Sequence, residues 1–315
     1  MNIQGGISDA APFSCISLYF VHYNEQAWEN VVLACLPDIE IERFIDEDLP
    51  YGDLTTHLLG IGNQPGTIAF STREATTLCC CEEAARVLEK CGCRISILEP
   101  SGTHCAPGTV FLSVEGTAQG LHAGWKVALN LLEYASGIAS RTARIVRAAK
   151  EANPGIVVVT TRKSFPGTKK VAIKAIMAGG ALPHRLGLSE TVLVFKQHTA
   201  FLGGLDAFLE GVADLRAKAP ENRIIVEADN AAEALRIAGA GVDVVQVDKL
   251  PPPELRQLTA DIRALGRPVK ISAAGGINEG NVAEYAASGV DIIVLSSVYF
   301  GRPADIGARI SPRSP

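Results

Sequence analysis

"AGAGVDVVQVD" at Ala238–Asp248 and "AASGVDIIVLSS" at Ala286–Ser297 are nearly the same phrase written twice. Each runs from small residues through a glycine and Val-Asp into a β-branched apolar stretch. Each also ends in residues able to do chemistry. A stretch that is apolar at both alternating positions is a strand covered on both faces, as in a parallel sheet flanked by helices. Its return two strand–helix units later marks a repeated βα architecture. The rhythm continues outward from this pair. "GIVVVTT" ends at Thr161, "ETVLVF" at Phe195, "RIIVEAD" at Asp229 and "VKISAAGG" at Gly276.

The strand ends decide between a barrel and an open sheet. They carry Arg162 and Lys163, Lys196, Glu227 and Asp229, Asp248 and Lys249, Gly275 and Gly276, and Ser296 and Ser297. In a βα barrel these ends converge on one rim, which is where active sites lie. An open sheet would spread them along a crevice. The last two ends, "AAGGIN" and "SSV", are small-residue loops that precede helices, and their backbone N–H groups suit a phosphate. The pattern favours the barrel.

Ahead of the barrel, residues 44–116 are broken by turns. Between them lie the strand candidates "TIAFSTRE" (Thr67–Glu74), "RISILE" (Arg94–Glu99) and "TVFLSVEG" (Thr109–Gly116). Leu78, Cys81, Ala85 and Leu88 at helical spacing predict one helix over Thr76–Gly92, giving a small α+β layer. A long helix-favouring stretch, Leu121–Gly155, closes on "NPG". Residues 1–36 read as an atypical extension. "FSCISLYFV" (Phe13–Val21) is like a short signal core, but Asp9 and no cation precede it, so a cytoplasmic protein is expected.

Composition narrows the classes. A net charge of −5 over 315 residues argues against a general nucleic-acid binder. No apolar run approaches the roughly 18 residues needed to cross a bilayer, so no membrane partner is expected. The "CCC" and "CGC" clusters among the eight cysteines lack zinc-ligand spacing and read as buried thiols.

"TTRKSFPGTKK" (Thr160–Lys170) places four cations just after a strand. Arg162 offers a planar fork for a carboxylate or phosphate, and Lys163 a point charge. Lys169 and Lys170 open the next helix, where they oppose its dipole. They either serve an anionic ligand or, with Lys174, form a solvated face. "PHR" adds His184 and Arg185 in a glycine-rich loop. Glu227 and Asp248 either pair with these cations or bind Mg²⁺ and sugar hydroxyls. There is no Ser-His-Asp spacing and no Walker loop, and "GIGNQPG" (Gly60–Gly66) is not a dinucleotide fingerprint. A polyphosphorylated sugar fits best. Mg²⁺ and lysines would neutralise a leaving pyrophosphate, while carboxylates would stabilise positive charge growing on the ribose.

Residues 49–297 resemble the quinolinate phosphoribosyltransferases. The resemblance rests on "EDLPYGDLT", "ALNLLEYASGIASRT", "TRKSFPG", His184–Arg185, Lys196, Glu227, Asp248 and "GGI" in that order. "TTRKSFPGTKK" and "AGGALPHRLGLSETVLVFKQH" are most similar to the ModD branch, encoded near molybdate transport genes. The resemblance implies an N-terminal α+β sandwich domain over 37–125 and an incomplete, seven-stranded TIM-like βα barrel over 126–315. It also implies a homodimer whose site is completed across the interface. Phosphoribosyl pyrophosphate (PRPP) and a small carboxylated acceptor would be the substrates, with Mg²⁺ as cofactor. Lys163, Lys196, Glu227 and Asp248 would be catalytic, the two carboxylates also serving the metal. Lys126, Arg162, His184 and Arg185 would bind the acceptor. Ala274, Gly275, Gly276, Ser296 and Ser297 would hold the 5-phosphate.

The departures fall on the acceptor side. Lys126 stands where the family has an arginine that reaches the neighbouring subunit. Thr160 and Pro183 replace an Asp and an Asn, "KQHT" replaces "KDNH", and Lys249 replaces an Asn. The same donor with an altered acceptor is therefore expected. Two other readings stay open: a Schiff-base barrel lyase using Lys163 or Lys196, and a non-catalytic oxyanion or nucleotide binder that serves molybdate uptake.

Overall fold

The computed structural model describes residues 36–313; the extension read over 1–36 lies almost wholly outside them. Helices α1 (Asp38–Asp48) and α2 (Leu54–Leu58) lead into strand β1 (Pro65–Thr72), whose alternate residues Ile68 and Phe70 are fully buried. A short β2 (Thr76–Thr77) precedes helix α3 (Cys81–Lys90). Strands β3 (Arg94–Leu98), β4 (His104–Cys105) and β5 (Val110–Thr117) follow.

The expected helix over Thr76–Gly92 is therefore shorter at its start. Thr76 and Thr77 pair with Cys105 and His104 instead. The hydroxyls of Ser140 and Ser136 accept from the backbone of Thr77 and Cys79, both at 2.9 Å. Cys80 turns at φ 61°, and only then does the helix begin. Cys79, Cys80, Cys81, Cys93 and Cys105 are buried thiols.

Helix α4 (Ala118–Ala152) is 35 residues long and is N-capped by Thr117, whose hydroxyl accepts from Gly120 N. At Gly120 a Cβ would come within 2.4 Å of the Cys91 carbonyl, so only glycine lets α3 lie this close to α4. The division expected at 125/126 falls inside this helix.

Strand β6 (Val157–Thr160), helix α5 (Lys169–Ala178), and strands β7 (Leu182–Pro183), β8 (Val192–Val194), β9 (Ile224–Ala228), β10 (Val244–Asp248), β11 (Lys270–Ala274) and β12 (Ile292–Leu295) build the second layer. They form one parallel sheet in the order β7-β6-β12-β11-β10-β9-β8. The sheet curls as a barrel does, but β7 and β8 lie at opposite edges and no strand joins them among the described residues. Within this sheet, β7 is the strand that periodicity does not show. It is two residues long, and Pro183 has no N–H to extend a ladder.

Side-chain alternation explains how this sheet is covered. Ile224, Val226, Val245, Val247, Ile271, Ala273 and Ile293 point outward into the main helical core. Leu193, Ile225 and Val244 fill the inner side, as do Val159, Ala274 and Val294. The last strand, β13 (Ile306–Pro312), leaves the barrel altogether. It pairs antiparallel with β1 from Thr72↔Ile306 to Gly66↔Pro312, completing a four-stranded sheet β13-β1-β5-β3. Among the described residues no helix is long and apolar enough to cross a membrane.

Candidate active site

The C-terminal ends of the barrel strands enclose a cavity of about 910 Å³. Its walls divide by charge. Arg162, Lys163 and Arg185 form a cationic side, with His184 among them, contributed by the segments that follow β6 and β7. Glu227, Gln246 and Asp248 form the floor from β9 and β10. Ala274, Gly275, Gly276, Ser296 and Ser297 line the part between these two, at the ends of β11 and β12.

Two of the expected site residues do not line it. Lys196 lies at the rim with its Nζ 2.8 Å from Asp229 Oδ2, a bond that holds its pKa above the usual lysine range. Lys126 is exposed on α4, its ammonium 4.7 Å from the Trp125 ring centre.

The cationic side is crowded. Burial lowers the pKa of the Arg185 guanidinium, and the charge of Arg162 lowers it further. His184 is anchored through its backbone N, which donates to the Thr160 carbonyl at 2.9 Å. Its imidazole is pushed down to about 4, first by burial and then by Arg185, so it is neutral at pH 7. A smaller cavity of about 100 Å³ lies against Arg162 and Arg185, bounded also by Ser164, Lys169 and Tyr299. Tyr299 donates to the Thr161 carbonyl at 3.2 Å, with Thr160 Oγ1 2.8 Å from its hydroxyl.

The lysines that open α5 are mostly committed elsewhere. Lys169 donates to the Leu186 carbonyl, and Lys170 pairs with Glu40 at 2.6 Å. Lys174 is buried and pairs with Glu83 at 2.6 Å and Glu82 at 2.8 Å. A solvated face is thus wrong for Lys174, because that side of α5 turns toward α3.

On the floor, Glu227 and Gln246 are register partners in adjacent strands. Gln246 Nε2 donates to Glu227 Oε2 at 2.7 Å. Gln246 Oε1 is buried with no hydrogen-bond partner among the described residues. Burial raises the Glu227 pKa; the Gln246 bond opposes this, and the charges of Asp248 and Asp229 add to it. Asp248 Oδ2 is 2.6 Å from Lys249 Nζ, and Lys249 holds a left-handed backbone at φ 58°.

Gly275 must be glycine twice over. Its φ is +87°, and a Cβ would meet Asp248 Oδ1 at 2.3 Å. The phosphate-side loops are tied down by Asn278 and Asn281, both donating to the Gly276 carbonyl, and by Ser297 donating to the Ile277 carbonyl.

The floor offers only hard oxygen donors, two carboxylates and the unpaired amide oxygen of Gln246. That set suits Mg²⁺, which takes one or two carboxylates and completes its shell with water and substrate phosphate. Gln246 was not legible as a site residue from sequence. The available signal was its place at i−2 from Asp248 on a strand whose inner face points into the cavity.

Comparison with known proteins agrees with this geometry. Residues 53–136 match the family described as "Quinolinate phosphoribosyl transferase, N-terminal domain", and residues 138–307 match its C-terminal domain. A Rhodobacter capsulatus protein, a pyrophosphorylase ModD by name, is 43% identical over 250 residues, covering 79% of this chain and 95% of its own length. The rat nicotinate-nucleotide pyrophosphorylase (carboxylating) is 32% identical over 221 residues, 69% of this chain and 72% of its own. The crystal structure of NadC from Streptococcus pyogenes shares the fold at a TM-score of 0.81, with 24% identity over 89% of this chain and 100% of that one. Two matched domains spanning most of the chain, over a cavity with one cationic wall and one phosphate-type loop, leave one assignment: this chain belongs to the quinolinate phosphoribosyltransferase family.

Proposed function

We propose that this pentosyltransferase moves ribose 5-phosphate from PRPP to the ring nitrogen of a small carboxylated heteroaromatic acceptor, releasing pyrophosphate with Mg²⁺ as cofactor. The observation that carries the reading is that three sets of groups line one cavity: cations after β6 and β7, glycine and serine loops after β12 and β11, and carboxylates on β10 and β9. A carboxylated acceptor, a 5-phosphate and an oxocarbenium-like ribose need those three sets.

Arg162 and Arg185 grip the acceptor carboxylate, and the neutral His184 hydrogen-bonds it without adding charge. Glu227 and Asp248 face the ribose and stabilise positive charge on its anomeric carbon. The backbone around Gly275–Gly276 and Ser296–Ser297 holds the 5-phosphate. Bound Mg²⁺, held by Glu227, Asp248 and the Gln246 amide oxygen, would supply charge neutralisation for the leaving pyrophosphate. A link of the acceptor to molybdenum transport or use is part of the same proposal, and the resemblance of "TTRKSFPGTKK" to the ModD branch supports it. The changes at Lys126, Thr160, Pro183 and Gln197 support an acceptor other than quinolinate.

Pyrophosphate release is the test, with PRPP and Mg²⁺ supplied and either quinolinate or a small-molecule cell extract as acceptor. Release that Lys163→Ala abolishes supports the reading; no release from either pool, or full activity in that variant, defeats it. The dimer belongs to the same proposal, with Lys126 of one subunit serving the other's cavity. Mixing Lys126→Ala and Lys163→Ala subunits should restore activity that neither variant has alone. A Schiff-base lyase is disfavoured by Lys196, which Asp229 keeps protonated.

A further inference from the structure

Three acidic side chains surround the floor, and two of them already carry an ammonium. Lys196 sits on Asp229 and Lys249 on Asp248, at 2.8 and 2.6 Å. Glu227 instead accepts a hydrogen bond from the neutral Gln246 amide at 2.7 Å. Lys249 reaches Asp248 from an unfavourable backbone. It and Cys80 are the two non-glycine residues with positive φ among those described. Asparagine tolerates that conformation far better than lysine does. The lysine gains there a charge contact that the backbone alone does not explain. Room for the contact comes from Gly275, where a Cβ would stand 2.3 Å from Asp248 Oδ1 and 2.6 Å from Lys249 Cγ.

We propose that in the free protein the Lys249 ammonium occupies the place of a divalent cation at Asp248, so that the metal enters only together with the polyphosphate substrate. The pyrophosphate draws the ammonium off the carboxylate and brings its own cation to the oxygens so released. Lys249 stands at the end of a flexible stem with three rotatable donors, and its side chain is 74% exposed, so the transfer needs no backbone movement. The unpaired Gln246 Oε1 then gains the partner it lacks. This rests on the phosphoribosyl-transfer reading for the identity of the substrate, but its test does not require turnover.

The measurement is Mn²⁺ binding to the purified full-length protein by equilibrium dialysis, with and without pyrophosphate and with no acceptor present. Lys249→Asn, which suits the left-handed backbone, should bind Mn²⁺ alone at least about tenfold more tightly than wild type, the effect of removing one adjacent like charge. Adding Asp248→Asn to that variant should abolish the gain. Wild type should retain Mn²⁺ only when pyrophosphate is present. Equal Mn²⁺ affinity of wild type and Lys249→Asn, whether tight or weak, overturns the proposal, as does wild type taking up none with pyrophosphate. A failed transfer assay beside a gain in Lys249→Asn would remove the transferase reading and leave this one standing.

Discussion

His184 meets the solvent very differently in the folded and unfolded chain. Folded, burial and Arg185 hold its pKa at about 4; unfolded, it returns to about 6.5. The unfolded state therefore binds the extra proton first. Stability should be unaffected by this group above about pH 6.5 and should fall as pH drops from there toward 4. Urea unfolding across that range should show the slope in wild type, and His184→Gln should flatten it. Gly275→Ala is a second test at this scale. With φ at +87° and Asp248 Oδ1 at 2.3 Å, the methyl must displace the carboxylate. Catalytic efficiency should fall by about 100-fold or more, the order expected when a positioned charge is lost, while the fold survives.

Arg162, Lys163, Glu227 and Asp248 were legible because charge at the end of an apolar strand is anomalous. Gln246 was not, because a glutamine in a strand is ordinary until its register against Glu227 is known. Lys196, expected to be catalytic, and Lys126, expected to bind the acceptor, do not line the cavity. Sequence spacing places a residue on a strand end or a helix but does not encode its distance from the cavity.

The pairing of α3 with α5 shows a cost that acts between elements. Lys174 is 2% exposed and Glu83 is wholly buried, so each ion depends on the other for its solvation. Lys174→Met leaves Glu83 charged and unpaired and should destabilise the protein by about 3–5 kcal/mol in urea melts. Lys174→Met with Glu83→Leu should recover part of that loss, with the remainder traceable to Glu82 and to Leu36 N, which donates to Glu83 at 3.0 Å. This bridge was invisible in the sequence because Glu83 and Lys174 are 91 residues apart. Helix α3 starts later than its period predicts for a related reason. The hydroxyls of Ser136 and Ser140 on α4 hold residues 77–79 extended, which overrides a pattern that is helical by period. The parallel strands were easier, since an apolar stretch buried on both faces needs no partner to identify it.

For the molecule as a whole, the chain order is not the spatial order. β13 comes last and closes the first sheet beside β1. Ending the chain at Asp305 should leave one edge of β1 unpaired along its whole length, with β5 still on the other, and lower Tm by about 10 °C, the shift expected for several kcal/mol in a chain of this size. Differential scanning calorimetry would check it; an unchanged Tm would mean that the sheet needs no fourth strand. Neither β13 nor the two-residue β7 carried a periodic signal, whereas the curled parallel sheet did.

Helix α4 has a mechanical consequence. At 1.5 Å per residue its 35 residues form a rod about 52 Å long that packs against α3, α5 and β13. A rod shared by both layers leaves no hinge between them. Substrate must therefore be admitted by the short segments around the cavity mouth, such as residues 162–168 and 184–191, while the two layers stay locked. The protein should behave in catalysis as a fixed frame with moving edges, and its opening rate should be set by loops of a few residues.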